Sequence, residues 1–350
     1  MLTRLHLKNF TVFADADFSF APGLNVVVGE NGTGKSHLLK AAYALQSVVA
    51  PTRKQDVPAH PTQRYLESEI ARKLRAVFRP DELGRLVRRS HDSEPCEVEA
   101  LFRPNRPVLK FKLQYRSQDE VAVQFHPFMW ERKPPVFFPT RELMTIYPGF
   151  VSLYETTELP FEETWRDTCI LLGAPLARGA KVVRIQELLR PLEEAMGGPV
   201  ILDHDRFYVR GRSGDLEAHL VAEGMRKLAM LARLIANGSL VESGSLFWDE
   251  PEANLNPKIL KRIARTILQL SLSGIQVVIA THSLFLMREL DILLRGSEFA
   301  TVSRRFFGLH PGEAGVTVRQ GEAIEDVGDI AALDEELNQS DRYLEAEAAQ

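Results

Sequence analysis

Cysteine is scarce in this 350-residue sequence: Cys96 and Cys169 are the only two, and they stand far apart. That excludes a disulfide framework and any cysteine-rich metal site. No apolar run reaches the ~18 residues that a membrane-spanning helix requires. Met1–Phe10 sets Leu2, Leu5 and Leu7 among polar residues, which predicts a strand rather than a charged-then-apolar export signal. A cytoplasmic location is the expectation. Basic excess is also missing; the net charge is −4, so the whole molecule is no general polyanion binder. There is no heptad array, which excludes a long coiled-coil arm. Internal repeats and low-complexity stretches are absent too. What remains is an ordinary globular composition, 45% hydrophobic and 26% charged, long enough for one elaborated domain or two modest ones.

Read along the chain, strands are expected at Thr3–Leu7, Asp17–Phe20 and the apolar run Leu24–Val28. A glycine-rich turn follows, then a helix from Lys35 to about Val48. Pro51–Pro61 reads as a linker. Leu66, Ile70, Leu74, Val77 and Phe78 share one face of an amphipathic helix, and Asp81–Arg89 predicts a second short one. Glu97–Phe102, Leu109–Tyr115 and Val121–Phe125 predict antiparallel strands, and Val136–Phe138 a short buried one. Helices are expected between Phe161 and Met196, with a stripe of Ile185, Leu188, Leu189, Leu192 and Met196. A small hairpin pairs Ile201–Leu202 with Phe207–Arg210. Helix and buried strand then alternate: Glu223–Ile235, Ser245–Trp248, Pro257–Leu270, Gln276–Ala280, Leu284–Leu290. That alternation predicts a parallel α/β sheet. The acidic end carries one expected helix, Ile330–Leu337.

Three segments carry chemistry. Gly29-Glu30-Asn31-Gly32-Thr33-Gly34-Lys35-Ser36 matches G-x-x-x-x-G-K-[ST] in full, between a strand and a helix. Its glycines let successive N–H groups point at one phosphate cluster, and the helix beginning at Lys35 adds its positive dipole end. Lys35 reaches the β and γ phosphates of a nucleoside triphosphate, Ser36 ligates Mg²⁺, and His37 completes the nucleotide-binding stretch. Leu246–Glu250 is an apolar strand ending in two acids: Asp249 is expected in the Mg²⁺ shell, and Glu250 can polarise the attacking water. Val277–Ala280 ends in Thr281-His282-Ser283, which places His282 on a neighbouring strand end, where its imidazole can contact the γ phosphate.

The loop, Asp249-Glu250-Pro251, the following Glu252–Pro257 run and Thr281-His282-Ser283 together resemble the ATP-binding heads of the ABC, SMC and RecF proteins. Within that group the likeness is to the AAA-type ATPases related to the OLD (overcoming lysogenisation defect) family. The resemblance covers about 1–50, 134–146 and 215–310. It implies a P-loop NTPase fold of ABC-ATPase type, with a mixed/parallel core sheet, an antiparallel strand subdomain and helical insertions. It also implies Glu250 as general base, His282 as switch histidine, and Asn254 and Asn256 in a loop touching a partner subunit. Pro139-Thr140-Arg141-Glu142 resembles the segment near the family's Q-loop, without a glutamine. The family's Leu-Ser-Gly-Gly signature, which reaches the nucleotide of the other subunit in a dimer, is matched here by Val221–Lys227. Ala222, Glu223 and Gly224 are its nucleotide-facing residues, and Ala222 stands where the family uses Ser.

The expected organisation is a single head at 1–320 and an acidic tail at 321–350. The head divides into a phosphate-loop lobe (1–150, with a helical insertion at 52–90), a second helical insertion (151–200) and a lobe at 201–320. The expected function is an ATP-hydrolysing, Mg²⁺-dependent homodimeric switch. DNA maintenance or anti-phage defence with a separate effector partner is the leading role. A transporter's ATPase subunit and a weakly hydrolysing ATP-dependent scaffold are the alternatives. Arg64, Arg72, Lys73, Arg75, Arg79, Arg85, Arg88 and Arg89 concentrate positive charge, which fits either a duplex-DNA contact or a solvated helix face. Asp203-His204-Asp205 looks like a metal pair but reads as turn chemistry.

Overall fold

The computed structural model describes residues 1–52, 57–89, 94–102, 108–179, 182–211 and 214–348. The middle of the expected 51–61 linker therefore lies outside the described residues. In chain order the elements begin with β1 (Leu2–Phe10), β2 (Phe13–Ser19), β3 (Leu24–Gly29), α1 (Lys35–Val49) and α2 (Gln63–Phe78). Next come β4 (Cys96–Phe102), β5 (Val108–Leu113), β6 (Ala122–Phe125) and β7 (Pro135–Phe138). Three helices follow: α3 (Tyr147–Thr156), α4 (Glu163–Leu172) and α5 (Val182–Met196). A small antiparallel sheet is built from β8 (Val200–Asp203), β9 (Arg206–Gly211) and β10 (Gly214–Glu217). The rest alternates: α6 (Glu223–Ala236), the one-turn α7 (Ser239–Glu242), β11 (Ser245–Asp249), α8 (Pro257–Leu272), β12 (Gln276–Thr281) and α9 (Leu284–Arg295). The chain then forms β13 (Arg304–His310), β14 (Thr317–Gly321) and α10 (Ala331–Ala348).

The central sheet has the order β14-β13-β3-β12-β11-β7. All its neighbours pair in parallel except β14, which runs antiparallel to β13. Its inner strands β3, β12, β11 and β7 are buried at every position because both faces are covered. Successive side chains alternate between two cores. Val26, Val28, Leu246, Trp248, Val277 and Ile279 join the core under α5, α6, α8 and α9. Val27, Phe247, Val278, Ala280 and Phe307 join the core shared with α1, α2 and the antiparallel sheet. That sheet has the order β2-β1-β4-β5-β6. In β1, Leu5 and Leu7 point inward, while Arg4 and His6 on the outer face pair with Asp17 and Asp15 of β2. The mixed sheet, the antiparallel subdomain and the helices are those of a P-loop ATPase fold.

Several local expectations need correction. Asp81–Arg89 is not a second helix; it forms one 3₁₀ turn, Leu83–Leu86. Arg79 caps α2 in the left-handed region (φ 56°), and the chain after the turn runs extended beside β1, with Arg88 N–H donating to Asn9 O. Pro80 also bars helix continuation. The C-terminal helix runs to Ala348 rather than ending at Leu337. Its Glu, Ala, Leu and Arg content carries no breaker. The Ile201–Arg210 hairpin gains a third strand, β10. α3, β13 and β14 were not anticipated; β13 closes the core sheet against β3. Cys96 and Cys169 are both buried and free.

Candidate functional site

The phosphate loop joins β3 to α1, and its shape follows from glycines that no other residue could replace cheaply. Gly32 (φ 83°) and Gly34 (φ 88°) both occupy the left-handed region, where a Cβ is disfavoured. A Cβ on Gly34 would also lie 2.5 Å from Val12 Cγ2. Thr33 Oγ1 donates to Glu30 O at 2.8 Å and braces the turn, leaving Asn31 and Gly32 exposed at its tip. α1 starts without a side-chain cap and without an acidic residue in its first turn, so its leading N–H groups and dipole face the loop unopposed. Lys35 Nζ folds back over the loop, donating to Gly29 O (2.8 Å) and Glu30 O (3.0 Å). Burial lowers its pKa, and the charges of Glu250, Asp249, Glu252 and Glu30 oppose that shift. His37 turns away: its ring packs against Phe78, 5.8 Å between centroids, with Nδ1 buried and unpartnered. Burial, then Lys40, lowers its pKa.

Parallel pairing puts β3, β12 and β11 side by side, so their carboxyl ends open on one edge. Asp249 ends β11 with 8% of its surface exposed, and its Oδ1 has no hydrogen-bond partner. Burial raises its pKa, while a hydrogen bond from Ser36 works the other way. A buried, unsatisfied carboxylate oxygen beside the Ser36 hydroxyl fits a Mg²⁺ site of the kind completed by nucleotide phosphates and water. Among the described residues there is no cluster of three His, Cys, Asp or Glu that would hold a metal by itself.

Glu250 follows Asp249 in the left-handed region (φ 48°), with its N–H on Ala280 O at 2.9 Å. This turn swings its carboxylate toward β12's end, where Oε1 lies 3.5 Å from His282 Nδ1. Glu252, not singled out from sequence, lies beneath them. Its Oε1 accepts from Thr281 Oγ1 (2.7 Å) and His282 N–H (3.1 Å) and stands 3.6 Å from His282 Nδ1. A further carboxylate two positions after Glu250 was the available signal. Asn254 donates through Nδ2 to Glu223 Oε1 at 2.9 Å, whereas Asn256 caps α8, its side chain accepting from Ile259 N–H.

The segment Val221–Lys227 opens α6. Ala222 sits at the N-cap with no side-chain bond, and Ala222 and Glu223 are exposed. Gly224 is required by packing: a Cβ there would lie 2.6 Å from Asn254 O. Arg226 and Lys227 bind two loops. Arg226 Nε donates to Glu142 Oε1 at 2.8 Å; Glu142 also accepts from Met144 and Thr145 N–H. Pro139–Glu142 is thereby tied to the start of α6. Lys227, likewise not singled out, donates to Glu250 O at 2.6 Å.

In the arginine-rich stretch Arg64, Arg72, Arg75, Arg79, Arg85 and Arg89 are exposed, several of them paired with acids, whereas Lys73 is not on the surface. Lys73 is buried, 2.6 Å from Asp167 and 3.2 Å from Glu163. Arg72 pairs with Glu69 and Glu163, Arg75 with Asp119, and Arg85 with Asp81. Arg85, Arg88 and Arg89 instead line a cavity of about 440 Å³ that begins at Gly32 and includes Thr11 and Pro311. Asp203-His204-Asp205 is a hairpin turn, His204 and Asp205 both at positive φ.

Residues 130–288 match the family described as "AAA domain, putative AbiEii toxin, Type IV TA system", and residues 4–90 match an AAA domain family. The DNA replication and repair protein RecF of Erwinia tasmaniensis is 50% identical over 44 residues, 13% of this chain and 12% of that protein. The DNA double-strand break repair Rad50 ATPase of Thermoplasma volcanium is 35% identical over 71 residues, 20% of this chain and 8% of its own. Each match thus spans a small part of the relative. Among solved structures, an SMC head bound to the C-winged helix domain of ScpA superimposes with a TM-score of 0.56 at 13% identity, covering 93% of this chain and 98% of that one. The SMC head of Pyrococcus yayanosii gives 0.54 at 10% identity, covering 93% and 98%. At such identities the likeness is one of fold. No helix among the described residues is long and apolar enough to cross a membrane.

Proposed function

We propose that this chain, a P-loop ATPase head of the ABC/SMC/RecF type, is a nucleotide-driven switch in which two copies close over Mg-ATP and reopen after hydrolysis. One observation carries the reading. The phosphate loop, the unsatisfied Asp249, Glu250 and His282 come from three neighbouring strand ends of one parallel sheet. Such an edge is where open α/β sheets take ligands.

Loop N–H groups and the α1 dipole hold the β and γ phosphates, and Lys35 transfers its hydrogen bonds from the Gly29 and Glu30 carbonyls to them. Ser36 and Asp249 would hold Mg²⁺, which would supply charge neutralisation on the phosphate oxygens when bound. The cavity beyond Gly32 takes the base and ribose, so Arg85, Arg88 and Arg89 face the nucleotide rather than a duplex. Glu250 accepts a proton from water as the water oxygen attacks the γ phosphorus in line; the bond to the ADP oxygen breaks, releasing ADP and phosphate. His282, held through its backbone by Glu252, stands beside Glu250 to sense the γ phosphate.

A second head would bring its exposed Ala222-Glu223 end of α6 to this nucleotide. We place the protein in the cytoplasm, as one head over 1–320 with an acidic appendage at 321–350. Its output in DNA maintenance or anti-phage defence passes through a separate effector. RecF and Rad50, DNA replication and repair proteins by name, support the first role. The test is Mg-ATP turnover by the purified chain, with Lys35→Ala as blank and with or without duplex DNA. Turnover that survives Lys35→Ala would overturn the ATPase assignment. DNA stimulation places the trigger on nucleic acid; a slow rate indifferent to DNA places it on a protein.

A further inference from the structure

Lys227 occupies a position that stability alone does not explain. It lies one turn into α6 with 2% of its surface exposed, on the face that also buries Leu228 and Leu231. A charged lysine among apolar neighbours is costly unless its bonds do something that a methionine could not. Burial pushes it down to about 8, against the opposing charges of Glu252, Glu250, Asp249 and Glu223. Among the described residues no carboxylate receives its hydrogen bonds. Nζ donates to two backbone carbonyls, Glu250 O at 2.6 Å and Ala253 O at 3.4 Å.

Those carbonyls belong to the turn that aims Glu250. Glu250 stands at φ 48°, a strained choice for a residue with a side chain, and it holds that conformation only while its surroundings over-determine it. From the core side the turn is fixed by Glu250 N–H on Ala280 O. From the other side α6 grips the same loop three times: Glu223 with Asn254, Gly224 against Asn254 O, and Lys227 on Glu250 O and Ala253 O.

We infer that Lys227 is a positioning residue, whose ammonium holds the Glu250 backbone and so couples the placement of α6 to the aim of the Glu250 carboxylate. The inference rests on the proposed ATPase reading and adds a direction of information to it. The exposed Ala222-Glu223 end of α6 meets the nucleotide of the partner copy. Lys227, one turn further along the same rigid helix, then passes that position to the Glu250 of its own chain.

The experiment compares wild type, Lys227→Met, Lys227→Gln, Glu250→Gln and the Lys227→Met/Glu250→Gln double variant of the full chain. Read-outs are kcat and KM for Mg-ATP, Mg-ADP affinity by calorimetry and melting temperature. Misplacing a general base by about 1 Å can cost ~100-fold. Lys227→Met is expected to lower kcat by ~10- to 100-fold, with KM and Mg-ADP affinity within about threefold. The Gln variant keeps one donor at shorter reach and recovers part of the loss. In the double variant Lys227→Met adds nothing to the Glu250→Gln defect, because it acts through that side chain. Multiplicative losses in the double variant, a kcat within about twofold of wild type, or a loss appearing in KM alone would each overturn the inference. Should the Met variant fold poorly, the kcat-against-KM split of the Gln variant decides. A wild-type chain without Lys35-dependent turnover would sink the ATPase reading itself, an outcome distinct from all of these.

Discussion

Replacing Lys73 by Met removes one cation from a buried charge cluster that joins three helices. Lys73 of α2 lies 2.6 Å from Asp167 and 3.2 Å from Glu163, both on α4, and Tyr43 of α1 donates to Asp167 at 2.7 Å. Breaking a buried pair by deleting one partner typically costs about 3–5 kcal/mol, since the remaining charge stays buried. Here Arg166 still holds Asp167 at 2.9 Å, and Arg72 still holds Glu163 at 3.0 Å, which argues for the lower end, about 3 kcal/mol. The acid limb gives an independent check. Burial pushes the Asp167 carboxyl up, but Lys73, Tyr43 and Arg166 together outweigh it, and its pKa lies below the ordinary carboxylate value. Its contribution is therefore present above the unfolded pKa of about 3.9 and lost as pH falls through the lower folded value. Without Lys73 the two largest lowering influences on Asp167 are gone, so the carboxyl rises from its depressed value and the variant recovers part of its deficit by taking up a proton as pH falls. Urea unfolding of both proteins at about pH 7.5 and about pH 4.5 reads this directly. A deficit under ~1 kcal/mol at neutral pH, or one that grows toward acid, would refute the buried-cluster account. Reversing the charges of Arg72, Lys73 and Arg75 together would consequently disrupt packing before it reported on DNA.

Two further outcomes bear on the switch. Ala222→Ser restores a hydroxyl at the α6 N-cap, where a side-chain bond is lacking; such a contact to a charged phosphate is worth about 1.5–3 kcal/mol. Turnover is expected to rise by roughly tenfold or more, and an unchanged rate would dispose of the idea that Ala222 slows closure. Glu250→Gln removes the proton acceptor while keeping the shape of the turn, so it should accumulate an ATP-bound dimer in light scattering; a monomer in saturating Mg-ATP counts against two-copy closure.

How much of this could be read from sequence depended on how local the cause was. The loop Gly29–Ser36 was legible because its geometry follows from glycines at fixed offsets between a strand and a helix. Asp249, Glu250 and His282 were placed at neighbouring strand ends by the alternation of elements, and the sheet order puts β11 beside β12 and β12 beside β3. Lys73 was misread as surface charge because the acids that bury it, Glu163 and Asp167, lie some ninety residues further on. β13 was missed because Arg304–His310 has no signature of its own; it is a strand by virtue of β3 beside it. Glu252 and Lys227 escaped notice for the same reason, since each acts on backbone atoms that only the tertiary fold brings near.

The distribution of exposure across the site argues for a second surface. Everything behind the nucleotide edge is tied down within one chain: Lys35 on the loop carbonyls, Glu252 under His282, Lys227 behind Glu250, Arg226 on Glu142. What stands exposed includes the loop tip, Asn31 and Gly32, the α6 end, Ala222 and Glu223, and beside them Asn254 and His282. A triphosphate laid on that loop would have protein on one side and solvent on the other. Water-excluded, preorganised surroundings are what make charge stabilisation at the γ phosphate effective, because the same dipoles are worth far less when screened by bulk water. A helix N-terminus already fixed to its own catalytic turn, and left exposed, is the piece a second copy of this chain would supply to cover that open side.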